Sequence, residues 1–197
     1  MPCFVIGEGE KTVVITSRHH ACESTGNYVL QGVLEELLAN PIFDTKVFCV
    51  PFVDYEGVIR GDQGKSRTPH DHNRDYSYEV EAIYPECAAI QKYAEENGCH
   101  YGFDFHSPWH KGGVNDKIFI VRNLVEKEGE FDAFSSIFES KISGKSMKYF
   151  QKDDYPPCTK WNQPSTSFGY IVNNRQECNL AFTLESTYFG EQDNKVS

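Results

Sequence analysis

Two kinds of hydrophobic spacing alternate along this chain, and that alternation constrains its fold more than any other feature. Residues 12–16, Thr-Val-Val-Ile-Thr, form a short β-branched run bounded by polar residues, the pattern of a buried strand. Residues 27–40 then carry Val29, Leu30, Val33, Leu34, Leu37 and Leu38 on one stripe at helical spacing, which reads as core. Ser24 or Thr25 is placed to cap that helix and Pro41 to end it. Residues 46–52 read as the next strand, and residues 80–97 as a helix with Pro85 near its first turns. Strands follow at 100–106 and 117–121, then a helix at 123–143 and a last strand at 180–184. Phe131, Phe134 and Phe138 place one face of the 123–143 helix against the sheet. The pattern predicts an α/β fold, a mixed, mainly parallel sheet flanked by helices on both faces in three layers. No linker or repeat interrupts it, so residues 1–197 are expected to form a single domain.

Composition narrows the partners. A net charge of −10 argues against nucleic acid and an acidic membrane surface. Seven cysteines without a Cys-x-x-Cys pair fit a reducing compartment better than a disulfide framework. No signal-like segment follows Met1, and no apolar run approaches a membrane span, so a cytoplasmic location is expected. Oligomeric state is not legible.

The unusual polar residues fall at the carboxyl ends of the expected strands, where open α/β sheets bind ligands. His20 and Glu23 follow the first strand, three residues apart in a strand-to-helix turn. Asn73 and Arg74 close the long, glycine-containing segment 56–78, and a loop of that length is usually functional. His106 ends the Asp104-Phe105-His106 strand, and Glu185 ends the last one. His20, Glu23 and His106 would make a His₂Glu site with water in the fourth position, the open arrangement of catalytic zinc. A zinc ion there acidifies that water and polarises a carbonyl. Glu185, partly desolvated at a strand end, suits a general base. Arg74 offers a planar fork for a carboxylate, and Asn73 adds a donor. These are the tools for cutting an amide beside a free carboxylate.

The order His-x-x-Glu, Asn-Arg, Asp-Phe-His-Ser and Thr-Leu-Glu resembles the zinc metallocarboxypeptidases of the carboxypeptidase A type, and is most similar to their cytosolic-carboxypeptidase-like and bacterial branches. The likeness runs from about Phe4 to Gly190. It implies one Zn²⁺ per chain on His20, Glu23 and His106. It also implies Asn73 and Arg74 on the substrate carboxylate, Glu185 as base, and release of a C-terminal residue from a peptide. The family's further arginine, which polarises the scissile carbonyl, has no direct counterpart. Gly64 and Lys65 stand at the nearest position, and of the cations Arg60, Lys65 and Arg67 the resemblance is carried onto Arg67. Its mobile tyrosine is carried onto Tyr170. Elements common in larger members are missing at both ends, as in a minimal enzyme or a fragment. Alternatives with the same clamp are an amidohydrolase acting on N-acyl amino acids or cell-wall peptide amides, and a non-catalytic peptide-binding relative.

Taken singly, these residues have plainer readings. His20 and Glu23 alone fit a surface loop, His106 a core histidine, Arg74 a pair with Asp71 or Asp75. His19, His70, His72, His100 and His110 read as solvated or structural, with His72 or His110 able to line a cleft. Trp109 and Trp161 are placed to frame a pocket, and Cys22 is read as directed away from the metal.

Overall fold

The computed structural model describes residues 1–108, 112–142 and 148–188. Six strands form one sheet in the order β1-β3-β2-β4-β6-β5. The four central strands, β3 (Thr45–Val50), β2 (Lys11–Ser17), β4 (Tyr101–His106) and β6 (Leu180–Glu185), are parallel neighbours. Antiparallel edges are supplied by β1 (Phe4–Ile6) on β3 and by β5 (Phe119–Val121) on β6. The sheet is therefore mixed and mainly parallel, as the alternation predicts.

Two apolar layers cover its faces. On one, Leu30 of α1 (Thr25–Ala39) and Phe131 of α4 (Glu128–Ile142) pack with Val13, Ile15, Val47, Phe105, Phe182 and Leu184. Phe134 and Phe138 join that layer from the periphery. On the other, Cys87, Ile90 and Ala94 of α3 (Pro85–Asn97) meet Phe168 and Val172 of α5 (Phe168–Asn173) over Val14, Phe48 and Ala181. Helices cover both faces, and each strand divides its side chains between them with the period of two that a pleated strand imposes. Among the described residues no helix is long and apolar enough to cross a membrane.

Several boundaries differ from expectation for local reasons. Helix α3 begins at Pro85, whose fixed φ and missing N–H suit a first helical position, so residues 80–84 stay outside it. Helix α4 starts at Glu128, after a short 3₁₀ turn over Val125–Lys127. Its expected last residue, Ser143, lies outside the described residues, as do Trp109 and His110. The stripe on α1 is not wholly core: Leu38 is 66% exposed at the far end of the helix. The segment 56–78 has some structure of its own, in α2 (Tyr55–Arg60) and a 3₁₀ turn at His72–Arg74. Asp54 caps α2 by accepting the Gly57 N–H, and Asp71 caps the turn by accepting the Asn73 N–H.

Candidate metal centre

Beyond Ser17 the chain turns at Arg18, which adopts φ 60, and runs through His19 and His20 to Glu23 before α1 begins. The Arg18 guanidinium holds this turn, donating to the Ala21 carbonyl through Nε (2.9 Å) and to Asn27 Oδ1 through Nη1 (3.0 Å). The exit of β3 is tied to it as well, because the N–H groups of Val53 and Asp54 donate to the carbonyls of Ser17 and Arg18.

Glu23 is the hub. Its Oε1 lies 2.9 Å from His20 Nδ1 and its Oε2 lies 2.6 Å from His106 Nδ1. The Ser107 N–H donates to Oε2 (3.2 Å), and the Lys65 ammonium rests on Oε1. Nitrogen and oxygen atoms of His20, Glu23 and His106 lie within 4.8 Å of one another. Each imidazole turns its other nitrogen to a carboxylate: His20 Nε2 to Asp71 Oδ1 at 3.4 Å, His106 Nε2 to Asp104 Oδ2 at 2.6 Å. That outer pairing is what metal-bound histidines usually make. Two Nδ1 atoms and a carboxylate also match the donor preferences of a borderline divalent ion such as zinc. The group already attracts a cation, the Lys65 ammonium. On all three counts the residues fit a metal ion.

The electrostatics agree. Burial opposes charge on His106, but Asp104 and Glu23 outweigh it and hold the imidazole well above its ordinary pKa. Burial likewise opposes charge on Glu23, and His106 with His20 outweighs it, keeping the carboxyl well below its ordinary pKa. His19 behaves differently: fully buried, it is held below its ordinary value even with Asp104 beside it.

Glu185 stands opposite His106 in the parallel β4–β6 register. The residue is partly open to the cleft, yet its Oε2 is buried and has no hydrogen-bond partner. Burial, reinforced by the nearby Glu23 charge, pushes its carboxyl up to about 7. A cleft of about 540 Å³ opens over this group, lined among others by His20, Lys65, Asn73, Arg74, His106 and Glu185. Arg74 Nη1 donates to the Asn73 carbonyl (2.8 Å), and Asn73 Oδ1 accepts the Phe168 N–H (3.1 Å).

Two expected members stand apart. Arg67 is taken by Asp54, through Nε at 3.1 Å and a closer Nη2 contact, and reaches Asp62 at 3.4 Å. It does not line the cleft; Lys65 does. Gly64 explains the displacement. It has φ +87, and a Cβ there would meet the Ala21 nitrogen at 2.3 Å, so the loop packs on the His20–Glu23 turn where no side chain fits. Arg60 pairs with Glu56 on the exposed face of α2. Tyr170 sits on α5 outside the cleft lining; the tyrosine that lines it is Tyr155, stacked on Trp161 with ring centroids 4.6 Å apart. His72 is buried against Tyr84 and does not line the cleft. Sequence reasoning missed Asp71, Asn123, Tyr155 and Lys160 among the lining residues, and Asp104 behind them. Only Asp104 left a signal, its place two residues before His106 on one face of a strand.

No protein-family model matches the chain. Among curated proteins it is 26% identical to cytosolic carboxypeptidase 2 of Danio rerio over 93% of this chain and 26% of that one. It is 32% identical to cytosolic carboxypeptidase 2 of Macaca fascicularis, over 92% of this chain and 22% of that one. The chain thus spans about a quarter of the length of these relatives. Among solved structures it is similar to a metallo-carboxypeptidase from Burkholderia cenocepacia (TM-score 0.75, 17% identity, 97% of this chain and 53% of that one). A metallo-carboxypeptidase from Pseudomonas aeruginosa in complex with (2-guanidinoethylmercapto)succinic acid has TM-score 0.71 and 16% identity over 98% of this chain and 53% of that one. A succinylglutamate desuccinylase from Chromobacterium violaceum has TM-score 0.64 and 18% identity over 98% and 59%. The chain is thus similar in sequence to cytosolic carboxypeptidases and in fold to bacterial metallo-carboxypeptidases, in keeping with the motif order that its sequence resembles.

Proposed function

We propose that this chain is the catalytic unit of a zinc-dependent hydrolase that removes the C-terminal residue of a peptide by attack of water on the scissile amide. The observation that carries the reading is the aim of two Nδ1 atoms at one carboxylate, 2.9 and 2.6 Å away, beside the partnerless carboxylate oxygen of Glu185. His20, Glu23 and His106 would hold the ion. When bound, zinc acidifies a water and polarises a carbonyl.

The chain's own groups supply the rest. Glu185 takes a proton from the attacking water and returns it to the leaving amine, a role suited to a carboxyl near 7. Lys65 places an ammonium where charge develops on the carbonyl oxygen, in place of the expected Arg67. Arg74 holds the terminal carboxylate through its planar fork, with its guanidinium already braced on the Asn73 carbonyl. The similarity to a structure carrying a succinic acid derivative supports a carboxylate-bearing substrate.

Metal analysis of the purified protein, with a panel of free-carboxylate peptides, their C-terminal amides and N-acyl amino acids, tests this. One zinc per chain and cleavage confined to free-carboxylate peptides are expected; cleavage of the amides at equal rate would refute the carboxylate clamp. The similarity to a desuccinylase supports a second reading, hydrolysis of N-acyl amino acids, which the same panel separates. No zinc and no turnover would leave a peptide-binding relative.

A further inference from the structure

Behind the metal cluster, four side chains form a single hydrogen-bonded row inside the protein. Tyr76 OH lies 2.7 Å from His19 Nε2, and His19 Nδ1 lies 2.8 Å from Asp104 Oδ1. Asp104 Oδ2 lies 2.6 Å from His106 Nε2. All four are essentially sealed from solvent, and the His19 and His106 rings are nearly parallel, 6° apart in plane.

The direction of the row follows from donor and acceptor capacity. Asp104 is a carboxylate and can only accept. It accepts from Thr16 Oγ1 and His19 on Oδ1 and from His106 on Oδ2. Both facing ring nitrogens must therefore carry hydrogen. With Nδ1 protonated, a neutral His19 leaves Nε2 as an acceptor, which the Tyr76 hydroxyl fills; burial keeps Tyr76 a phenol. The Asn73 amide nitrogen, 3.2 Å from His106 Nε2, does not compete, because a nitrogen 2.6 Å from a carboxylate carries the hydrogen. In the metal-free protein Nδ1 of His106, 2.6 Å from Glu23 Oε2, carries hydrogen as well; because Asp104 holds the hydrogen on Nε2, Nδ1 is the nitrogen that gives up its proton and offers the lone pair when a divalent ion takes its place.

We propose that His19, oriented by Tyr76, is a positioning residue that fixes the tautomer and tilt of His106 through Asp104, so that His106 offers Nδ1 to a divalent ion. The inference rests on the metal reading above. It assigns a purpose to a buried polar row that packing alone does not need, since apolar side chains of similar volume fill such space at no greater cost.

Replacing His19 by each of two amides tests it. In His19→Asn the side-chain amide falls where Nδ1 stood and still donates to Asp104; in His19→Gln it falls where Nε2 stood and serves Tyr76 instead. Zn²⁺ affinity is read by competition with a chromogenic chelator, with thermal unfolding of the metal-free proteins alongside. Expected are an affinity for His19→Asn within about threefold of wild type and a loss of about 10–100-fold for His19→Gln. Tyr76→Phe, which removes one oxygen and keeps the ring, is expected to weaken zinc about threefold to tenfold, and it serves as the test if a His19 variant does not fold. A filler role predicts altered unfolding with unchanged zinc affinity in all variants, and that result overturns the proposal. Two zinc ions in wild type with one lost in His19→Gln also overturns it, because His19, Asp104 and His106 would then be ligands themselves. Wild type that binds no zinc refutes the metal reading, whereas one zinc bound equally by wild type and both amides refutes this inference alone.

Discussion

Replacing Glu185 by Gln is expected to stabilise the metal-free protein while abolishing its chemistry. In the folded chain the carboxyl rises from 4.5 to about 7, first through burial and then through the Glu23 charge. The folded state therefore holds a proton that the unfolded state has released, across the window from pH 4.5 to about 7. A raised carboxyl costs stability as pH climbs through that window, the reverse of an acid paired to a base. At about 1.4 kcal/mol per pKa unit, the full cost above the window is about 3 kcal/mol. Gln carries no proton to lose, so Glu185→Gln escapes that cost. For a chain of this size the gain corresponds to a rise in Tm of about 6–12 °C at pH 8, fading toward pH 4.5. A bound dication lowers the Glu185 pKa and should shrink the gain on loading with zinc. Scanning calorimetry of both metal-free proteins at pH 5 and pH 8, with chelator-competition affinity and peptide turnover, gives the three readouts. Turnover should fall by at least about 100-fold at little change in zinc affinity. Parallel pH dependences in wild type and variant would refute the electrostatic reasoning, and near-normal turnover would remove Glu185 as base.

Other outcomes follow from the same geometry. Lys65→Met removes the resident cation from Glu23, so zinc should bind a few-fold tighter at low salt while kcat drops about 100–1,000-fold; weaker binding would contradict the ion pair. Because Asp104 and Glu23 favour a protonated His106 in the metal-free protein, zinc uptake near neutral pH should release protons and strengthen as pH rises; calorimetry in buffers of different ionisation enthalpy measures this. Gly64→Ala forces a Cβ against the Ala21 nitrogen at a positive φ, and should cost about 1–3 kcal/mol in urea unfolding and weaken zinc binding; an unchanged midpoint would show that the loop yields freely.

What the sequence revealed and what it hid divide along physical lines. Strands β2, β3, β4 and β6 were visible because a buried parallel strand must be a nearly continuous apolar run. Helices α2 and α5, six residues each, and strand β1, three residues, are too short for periodicity to register. The convergence of His20, Glu23, His106, Asn73, Arg74 and Glu185 around one cleft was legible because each follows or ends a strand-like run or closes a long loop, and the fold gathers such ends. The loop cations Arg60, Lys65 and Arg67 could not be ranked because nothing local shows that Asp54, 13 residues before Arg67, reaches its guanidinium. Nothing local marks Tyr155, which a bridge to Val121 and packing against Trp161 bring to the cleft lining. The row from Tyr76 to His106 depends on the pairing of Thr16 with Asp104 across 88 residues, and no spacing rule encodes that.

The pairing of His106 with Glu185 makes the hydrophobic core the custodian of the spacing between these two cleft residues. Leu180, Phe182 and Leu184 feed one apolar layer, while Ala181 feeds the other and Glu185 shares its side of the strand. Sliding β6 by a single residue would exchange the two sides, sinking Glu185 among aliphatic and aromatic groups and lifting Leu184 into the cleft. Such a slip is opposed by several buried side chains at once, far more strongly than by any contact Glu185 makes itself. The separation between the proposed base and the candidate metal ligand is therefore an indexed quantity, set in whole strand steps, and the loops can drift without changing that one dimension.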